Sequence, residues 1–222
     1  MKVEALIFDM DGTMIDSMPW HARTWVEFSR LHDLDIPLDE VMRRTTGRTG
    51  PECMVELFGA GLEDAHYQRL SEQKEELYRE LFAPVFTEVA GFTQFEASAR
   101  ARGLKVGVGT AGDRHNIAFV LSHLRLPQAP HAIVGGDEGL PGKPEPAIFL
   151  EAARRLNKQA QHCIVFEDSP FGIESARRAG MRAVAICSTH TPTQLAGPHV
   201  LAAVSDYNEL LNSAFLENLN VA

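Results

Sequence analysis

Two carboxylates stand one residue apart near the start of the chain. Asp9 and Asp11 follow an apolar run of strand length, residues 5–8, and Gly12 after them can take the positive φ of a tight turn. Side chains alternate along an extended backbone, so the two acids begin on the same side of it. Two anionic groups this close are costly unless a cation or a shared proton relieves them, and bound Mg²⁺ is the simplest relief. The structural alternative is that Asp-Gly only closes a turn and Asp9 caps a nearby element.

Strand-length apolar runs and helical segments alternate after Pro84. The strands predicted there cover residues 104–109, 132–134, 163–166, 183–186 and 201–204. The helices predicted there cover residues 92–102, 113–124, 145–156 and 170–179, with Leu210 and Leu211 on a closing helix. Repeated strand-then-helix order predicts an α/β fold with a doubly wound, Rossmann-like parallel sheet and right-handed crossovers.

The segment between the first and second strands shows helical periodicity only. A helix that Asp16 or Ser17 can cap, with Pro19 in its first turn, runs to about His32. Further helices are predicted over residues 41–46, 51–58 and 63–82. We therefore predict an α/β core domain of residues 1–15 and 88–222 and an inserted α-helical cap domain of residues 16–87. An insert at this point lies over the carboxyl ends of the strands, where such sheets bind ligands.

Polar residues follow several of these strands. Thr110 ends one strand, Glu167 and Asp168 end another, and Lys143 lies in a connecting loop. With the two N-terminal aspartates they supply what phosphoryl transfer needs: carboxylates for Mg²⁺, a cation and a hydroxyl for phosphoryl oxygens, and an acid or base. Each has a structural alternative when taken alone. Thr110 could bond its own backbone, Lys143 could be a solvated loop lysine, and residues 167–169 could cap the helix that begins at Pro170. Their joint occurrence at successive strand ends favours a catalytic site.

Composition limits the class of protein. The 222 residues are 45% hydrophobic and 23% charged, which suits one large or two small globular domains. A net charge of -9 argues against nucleic acid or an anionic membrane surface as partner. No signal peptide or membrane-spanning run is recognisable, and Cys53, Cys163 and Cys187 read as free thiols, so we expect a cytoplasmic protein. The absence of a heptad run favours a monomer.

Four segments together resemble the haloacid dehalogenase-like hydrolase superfamily, in the branch of helical-cap phosphatases and β-phosphoglucomutase-like enzymes. The matching segments are residues 8–13, 108–112, 142–146 and 166–173, and the likeness covers nearly the whole chain. The resemblance implies that Asp9 is the nucleophile that becomes an aspartyl phosphate. It also implies that Asp11 protonates the leaving oxygen and then activates water, which requires an upward shift of the Asp11 pKa.

The resemblance further implies a metal ion and a phosphoryl pocket. The implied Mg²⁺ ligands are Asp9, Asp168 and the backbone carbonyl of Asp11, with Glu167 nearby or as a further ligand. The implied holders of the phosphoryl oxygens are Thr110, the amide of Ala111, and Lys143. Within the superfamily, dehalogenases lack the second aspartate and phosphonate hydrolases have a small residue there. The presence of Asp11 therefore favours phosphate esters.

Three cap residues are candidate substrate contacts. His21 and Lys74 resemble positions of the β-phosphoglucomutases, whereas Arg48 departs from the mutase pattern and is closer to a glycine-arginine pair found in phosphatases of this branch. The structural alternative for His21 is a partly buried helix histidine beside Trp20 and Trp25. The alternative for Lys74 is a lysine on a solvated helix face.

The sequence therefore predicts a magnesium-dependent phosphatase that hydrolyses a small phosphorylated metabolite, such as a sugar phosphate, through an aspartyl phosphate. A β-phosphoglucomutase-type phosphosugar mutase is the alternative. Two further possibilities are a receiver-type signalling domain, which is shorter and has no helical insertion, and a non-catalytic relative that binds a partner through its cap. Neither would show multiple turnover.

Overall fold

A parallel sheet with helices on both faces forms the centre of the protein. The computed structural model describes residues 2–45 and 48–221. Its strands are β1 (Lys2–Val3), β2 (Ala5–Phe8), β3 (Lys105–Gly109), β4 (Ala132–Val134), β5 (Cys163–Glu167), β6 (Arg182–Ile186), β7 (Val200–Val204) and β8 (Asn220–Val221). Within these residues, six strands pair in parallel in the order β4-β3-β2-β5-β6-β7. The predicted doubly wound α/β fold is confirmed.

Strand β2 lies in the middle of this sheet because it is apolar on both faces. All four of its residues are buried, and it pairs with β3 on one side and β5 on the other. The chain leaves β2 toward β3 and β4, and later returns on the other side of β2 with β5, β6 and β7. This reversal of strand order opens a crevice at the carboxyl ends of β2, β3 and β5.

The cap, residues 16–87, is helical as predicted. It contains α1 (Met18–Leu31), α2 (Leu38–Thr45), α3 (Gly50–Phe58) and α4 (Asp64–Phe82). These helices pack around an apolar cluster of their own that includes Trp25, Phe28 and Met54. Helix α2 begins earlier than the predicted residue 41, and Thr46, its predicted last residue, lies outside the described part of the chain. The domain limits stay a prediction.

The remaining helices cover the sheet. They are α5 (Phe92–Ala101), α6 (Arg114–His123), α7 (Ala147–Arg155), α8 (Pro170–Arg178) and α9 (Tyr207–Asn212). On one face the ring of Phe8 stacks on Phe166 at 4.6 Å between centroids, and Phe92, Phe95 and Tyr207 pack around that pair. This aromatic cluster fixes the carboxyl ends of β2 and β5 side by side, immediately before the predicted acidic residues.

A short pairing of the two chain ends was not predicted from the sequence. Strand β1 pairs in parallel with β8, two residues each, too short for a hydrophobic alternation to be visible. None of the helices formed by the described residues is long and apolar enough to cross a membrane. The three cysteines are free, as predicted, and Cys53 and Cys163 are buried.

Candidate active site

A buried lysine joins two of the predicted acids. Asp9 directly follows β2, its N–H donates to the carbonyl of Phe166 (3.0 Å), and its side chain is almost wholly buried. The Nζ of Lys143 donates to Asp9 Oδ1 at 2.5 Å and to Glu167 Oε1 at 2.7 Å. Lys143 comes from the loop before α7 and lies over the ring of Phe149 at 4.9 Å. Residues 134 positions apart therefore form one charged cluster.

Burial dominates the electrostatics of this cluster. Burial raises the pKa of Asp9 to about 7, and repulsion from Glu167 and Asp11 adds to it, while Lys143 acts against it. The pKa of Asp168 lies well above its ordinary value for the same reasons, burial first and then repulsion from Glu167 and Asp9. Burial alone would lower the pKa of Lys143, but Asp9 and Glu167 outweigh burial and raise it. The lysine is therefore charged at neutral pH, and the three acids around it would carry more negative charge than it can balance if all of them were ionised.

This excess of negative charge suits a divalent cation. Asp9, Glu167 and Asp168 each offer an oxygen within 4.8 Å of the others, and all three are buried. Asp9 Oδ2 and Asp168 Oδ1 accept no hydrogen bond from residues 2–45 and 48–221, whereas Asp168 Oδ2 accepts one from Thr189 Oγ1 at 2.6 Å. Hard carboxylate oxygens of this kind fit Mg²⁺.

Glu167 has a different setting from the other two acids. Its Oε1 accepts from Lys143, and its Oε2 accepts from the N–H (2.7 Å) and hydroxyl (3.0 Å) of Ser169. These bonds fit an orienting role beside a metal. The carboxylate of Asp11 is not part of the three-acid cluster, and the predicted contact through its backbone carbonyl stays a prediction.

Two glycines allow the acids to approach the backbone closely. A Cβ on Gly12, which has φ +73°, would lie 2.2 Å from Asp168 Oδ2. A Cβ on Gly172 would lie 1.7 Å from Glu167 Oε1. Neither position has room for a side chain, so both glycines are required for the acids to occupy their places.

The predicted phosphoryl-binding groups line the same cavity. Thr110 is buried at the end of β3, and its Oγ1 accepts from the N–H of Gly112 at 2.9 Å. Because the hydroxyl accepts that bond, its own proton remains available to a phosphoryl oxygen. Thr110, Ala111 and Lys143 border the cavity together with Asp9.

Asp11 is turned toward the cap. Its Oδ1 accepts from Ser17 Oγ at 2.7 Å and lies 3.1 Å from His21 Nε2 and 3.4 Å from the Tyr78 hydroxyl. Burial would raise the pKa of Asp11, but the charge of His21 and the hydrogen bonds from His21 and Ser17 outweigh burial and lower it. The upward shift expected from the sequence is therefore absent in this arrangement, because the cap stabilises the ionised form.

Lys74 continues this network across the cap and back to the core. Its Nζ lies 2.9 Å from His21 Nδ1 and 2.7 Å from Glu75 Oε1, and 4.8 Å above the ring of Trp25. The other oxygen of Glu75 accepts from Asn116 Nδ2 of helix α6 at 2.6 Å. Lys74 is only 4% exposed, so the solvated-lysine alternative is wrong. His21 thus links Lys74 to Asp11.

Arg48, the third predicted cap contact, borders the cavity at its outer edge. Its Nη2 lies 3.1 Å from Glu56 Oε1, and its side chain is 45% exposed. The cavity it borders lies between the cap and the strand ends and has a volume of about 1370 Å³.

Five residues with contacts in this site were not predicted to act there. They are Ser17, Glu75, Tyr78, Asn116 and Thr189. Ser17 was a candidate helix cap, but at the start of α1 its side chain makes no capping bond. Thr189 follows the end of β6, so applying the strand-end rule to that strand as well could have found it. The other three lie on helices and carry no local signal.

Comparison with known proteins places this geometry among phosphate-processing enzymes. The sequence profile of the haloacid dehalogenase-like hydrolases matches residues 3–180. The fructose-1-phosphate phosphatase YqaB of Escherichia coli is 33% identical over 186 residues, which cover 82% of this chain and 96% of that protein. The β-phosphoglucomutase of Bacillus subtilis is 30% identical over 192 residues, which cover 83% of each.

Solved structures show the same architecture. A HAD hydrolase of family IA, variant 3, from Entamoeba histolytica has a TM-score of 0.81 at 29% identity, covering 93% of this chain and 95% of that one. A β-phosphoglucomutase from Clostridium difficile has a TM-score of 0.83 at 24% identity, covering 97% and 96%. The second likeness concerns the fold alone.

Proposed function

Because the chain belongs to the haloacid dehalogenase-like hydrolases, we propose that it is a magnesium-dependent phosphatase of small phosphorylated metabolites, working through an aspartyl phosphate on Asp9. The family and the hydrolase class predicted from the four motifs are confirmed by the profile match and the named phosphatases. The observation that carries the proposal is the buried lysine Lys143, which contacts both Asp9 and Glu167 beside Asp168.

Asp9 is the nucleophile of the first chemical step. A carboxylate oxygen of Asp9 forms a bond to phosphorus while the bond between phosphorus and the leaving oxygen breaks. Lys143 reduces the repulsion between this carboxylate and the phosphate dianion, and the Thr110 hydroxyl and the Ala111 amide hold phosphoryl oxygens in line with the attack. When bound, Mg²⁺ held by Asp9, Asp168 and the Asp11 carbonyl, with Glu167 nearby, supplies further charge neutralisation.

Asp11 transfers the protons in both steps. It gives a proton to the leaving oxygen, and it then takes one from the water that attacks phosphorus and releases Asp9 and inorganic phosphate. A leaving oxygen that displaces His21 from beside Asp11 removes a contact that lowers the pKa of Asp11. Substrate entry would then shift Asp11 toward the acid form that the first step needs.

The substrate class follows from the site and its relatives. YqaB is named for fructose 1-phosphate, and another relative, 30% identical over 203 residues, is named for validoxylamine A 7'-phosphate. A cavity of about 1370 Å³ over the phosphoryl pocket has room for a leaving group of sugar size. We take sugar phosphates and related small metabolites as the substrates.

Turnover of p-nitrophenyl phosphate tests the proposal. We expect Mg²⁺-dependent release of p-nitrophenol over many turnovers, its loss with EDTA, and its loss in Asp9→Asn by about 10⁴-fold or more. Asp35→Asn, an exposed aspartate of the cap, is the matched control and should keep full activity. Turnover that survives Asp9→Asn or EDTA would contradict the mechanism.

A phosphosugar mutase remains the second candidate, because Asp11, His21 and Lys74 form a continuous network between core and cap. A mutase would interconvert β-glucose 1-phosphate and glucose 6-phosphate far faster than it releases inorganic phosphate. A phosphatase would give free phosphate as the main product from either sugar. Measuring both products in one time course separates the two.

We also propose a cytoplasmic monomer without nucleic-acid or membrane partners. The net charge of -9 and the three free thiols support this. Size-exclusion chromatography with light scattering should give the mass of a single chain.

A further inference from the structure

The cavity extends far beyond the phosphoryl pocket, so the leaving group of a bound substrate would lie against its outer walls. Its volume of about 1370 Å³ is much larger than one phosphate group needs, and the remaining space lies against the cap. Trp25, Met42, Cys53 and Met54 make part of this wall apolar. A second acidic group on a substrate would need a cation there, as its transferred phosphate needs Lys143.

Lys74 is the cation placed deepest in that wall, and its charge is already balanced. Its Nζ donates to Glu75 at 2.7 Å and lies 2.9 Å from His21 Nδ1. Glu75 cannot easily turn away, because Asn116 of the core donates to its other oxygen at 2.6 Å and Arg79 donates to Asn116 at 2.7 Å. Lys74 is therefore one half of a buried ion pair and is not available to a second anion.

The other cations of the outer cavity are also matched with acids. Arg43 pairs with Glu40, Arg48 with Glu56, and Arg114 with Asp137. These pairs are exposed and rearrange at little cost in free energy. The buried pair of Lys74 and Glu75 is therefore the stronger obstacle to binding a second anionic group.

Negative charge exceeds positive charge along the same walls. Apart from the catalytic cluster, the Asp11–His21 pair and the histidines His115 and His190, the described lining residues include four cations, Lys74 and the three arginines, and six carboxylates. These carboxylates are Asp39, Glu52, Glu72, Glu75, Asp113 and Asp137. Thr46 and Gly47, the cap residues outside the described part of the chain, carry no charge. The outer cavity therefore repels a second anion.

We propose that this enzyme selects phosphate monoesters whose leaving group carries no second anionic group, and that Glu75 sets this preference by neutralising Lys74. The inference rests on the proposed phosphatase activity and narrows its substrate class to neutral or cationic hydroxylated compounds. Sugar bisphosphates and phosphorylated sugar acids are disfavoured.

Competition against p-nitrophenyl phosphate tests this with matched probes. Sorbitol 6-phosphate and 6-phosphogluconate differ by one carboxylate, and fructose 1-phosphate and fructose 1,6-bisphosphate differ by one phosphate. We expect the probe with the second anion to compete about tenfold or more weakly in each pair. Equal or tighter competition by the doubly anionic probes overturns the inference. Failure to hydrolyse p-nitrophenyl phosphate at all overturns the proposed function instead.

Three variants test which residue causes the preference for leaving groups without a second anion. Within each pair of probes, the gap is the ratio of the two inhibition constants. Glu75→Gln should reduce this gap about fivefold or more, because it frees the charge of Lys74. Glu72 is an exposed residue of the cavity wall, and Glu72→Gln should reduce the gap less. This variant replaces Glu75→Gln in the test if Glu75→Gln does not fold. Glu76→Gln changes an exposed glutamate of the same helix that does not line the cavity, and should leave the gap unchanged. A gap unaltered in both Glu75→Gln and Glu72→Gln contradicts the assignment.

Discussion

In the core, Asp9, Thr110 and Glu167 stand at the ends of three adjacent strands, whereas in the cap His21 and Lys74 lie on helices α1 and α4, 53 residues apart. Backbone pairing along the whole length of β2 fixes the core groups relative to each other. The cap groups meet only because two helices pack together and dock over the strand ends.

The apolar support of the two regions differs in the same way. Large buried clusters cover both faces of the sheet, whereas the cap has one smaller cluster. The phosphoryl site should therefore keep its geometry when the cap moves, while the surroundings of Asp11 change with cap position. We therefore expect the proposed chemistry to depend mainly on the core and the proposed selectivity on the cap.

Among the residues that do not attack phosphorus themselves, the largest effect is expected from the core cation Lys143. Lys143→Gln removes the charge that offsets Asp9 and Glu167, so kcat for p-nitrophenyl phosphate should fall about 10²-fold or more. Lys105→Gln, an exposed lysine at the start of β3, is the control. A loss below about tenfold would mean that activity does not depend on the ion pairs of Lys143 with Asp9 and Glu167.

A smaller effect is expected from the cap histidine. His21→Gln disturbs the placement of Asp11, so kcat for a sugar phosphate should fall about tenfold. The loss should be smaller for p-nitrophenyl phosphate, because p-nitrophenolate leaves without being protonated. His66→Gln on the exposed face of α4 serves as control. Equal losses for both substrates would count against a role in proton transfer.

The pH dependence of stability probes the strain in the core site. In the folded protein Asp9 has a pKa of about 7 against 3.8 ordinarily, so unfolding releases its proton and stability falls as pH rises through that interval. Asp9→Asn lacks this loss. In EDTA, its Tm advantage over the wild type should be about 3 °C or more larger at pH 8 than at pH 5.

Added Mg²⁺ should raise the Tm of the wild type at pH 8 more than that of Asp9→Asn, because the variant has lost a ligand. Differential scanning calorimetry measures both values. Tm curves that run parallel from pH 5 to pH 8 would show that burial does not raise the Asp9 pKa.

The smallest effect is expected at the second contact between cap and core. Asn116→Ala removes the donor to Glu75, and the unfolding free energy should fall by about 1 kcal/mol. KM should rise about threefold with little change in kcat, because the cap docks less often. Asn218→Ala, near the C-terminus, is the exposed control. A fall in kcat without a rise in KM would place Asn116 in the chemistry.

The sequence predicted the core more fully than the cap. Strands β2 and β5 carry apolar runs that end in acids, so both strands and their carboxylates could be recognised from local patterns. Asn116 and Glu75 show no such pattern, because each is an ordinary helix residue whose role depends on a partner 41 positions away. The lowered pKa of Asp11 was missed for the same reason: its cause, His21, reaches it only through docking of the cap.

By itself, the sequence determined the α/β fold, the order of its elements and the family, because apolar periodicity and strand-end motifs are local properties of the chain. Only the tertiary structure decided which charges neutralise each other. Coulomb interactions and burial depend on distance in space, and the distances from Lys143 to Asp9 and from Lys74 to Glu75 and His21 exist only once the helices have packed.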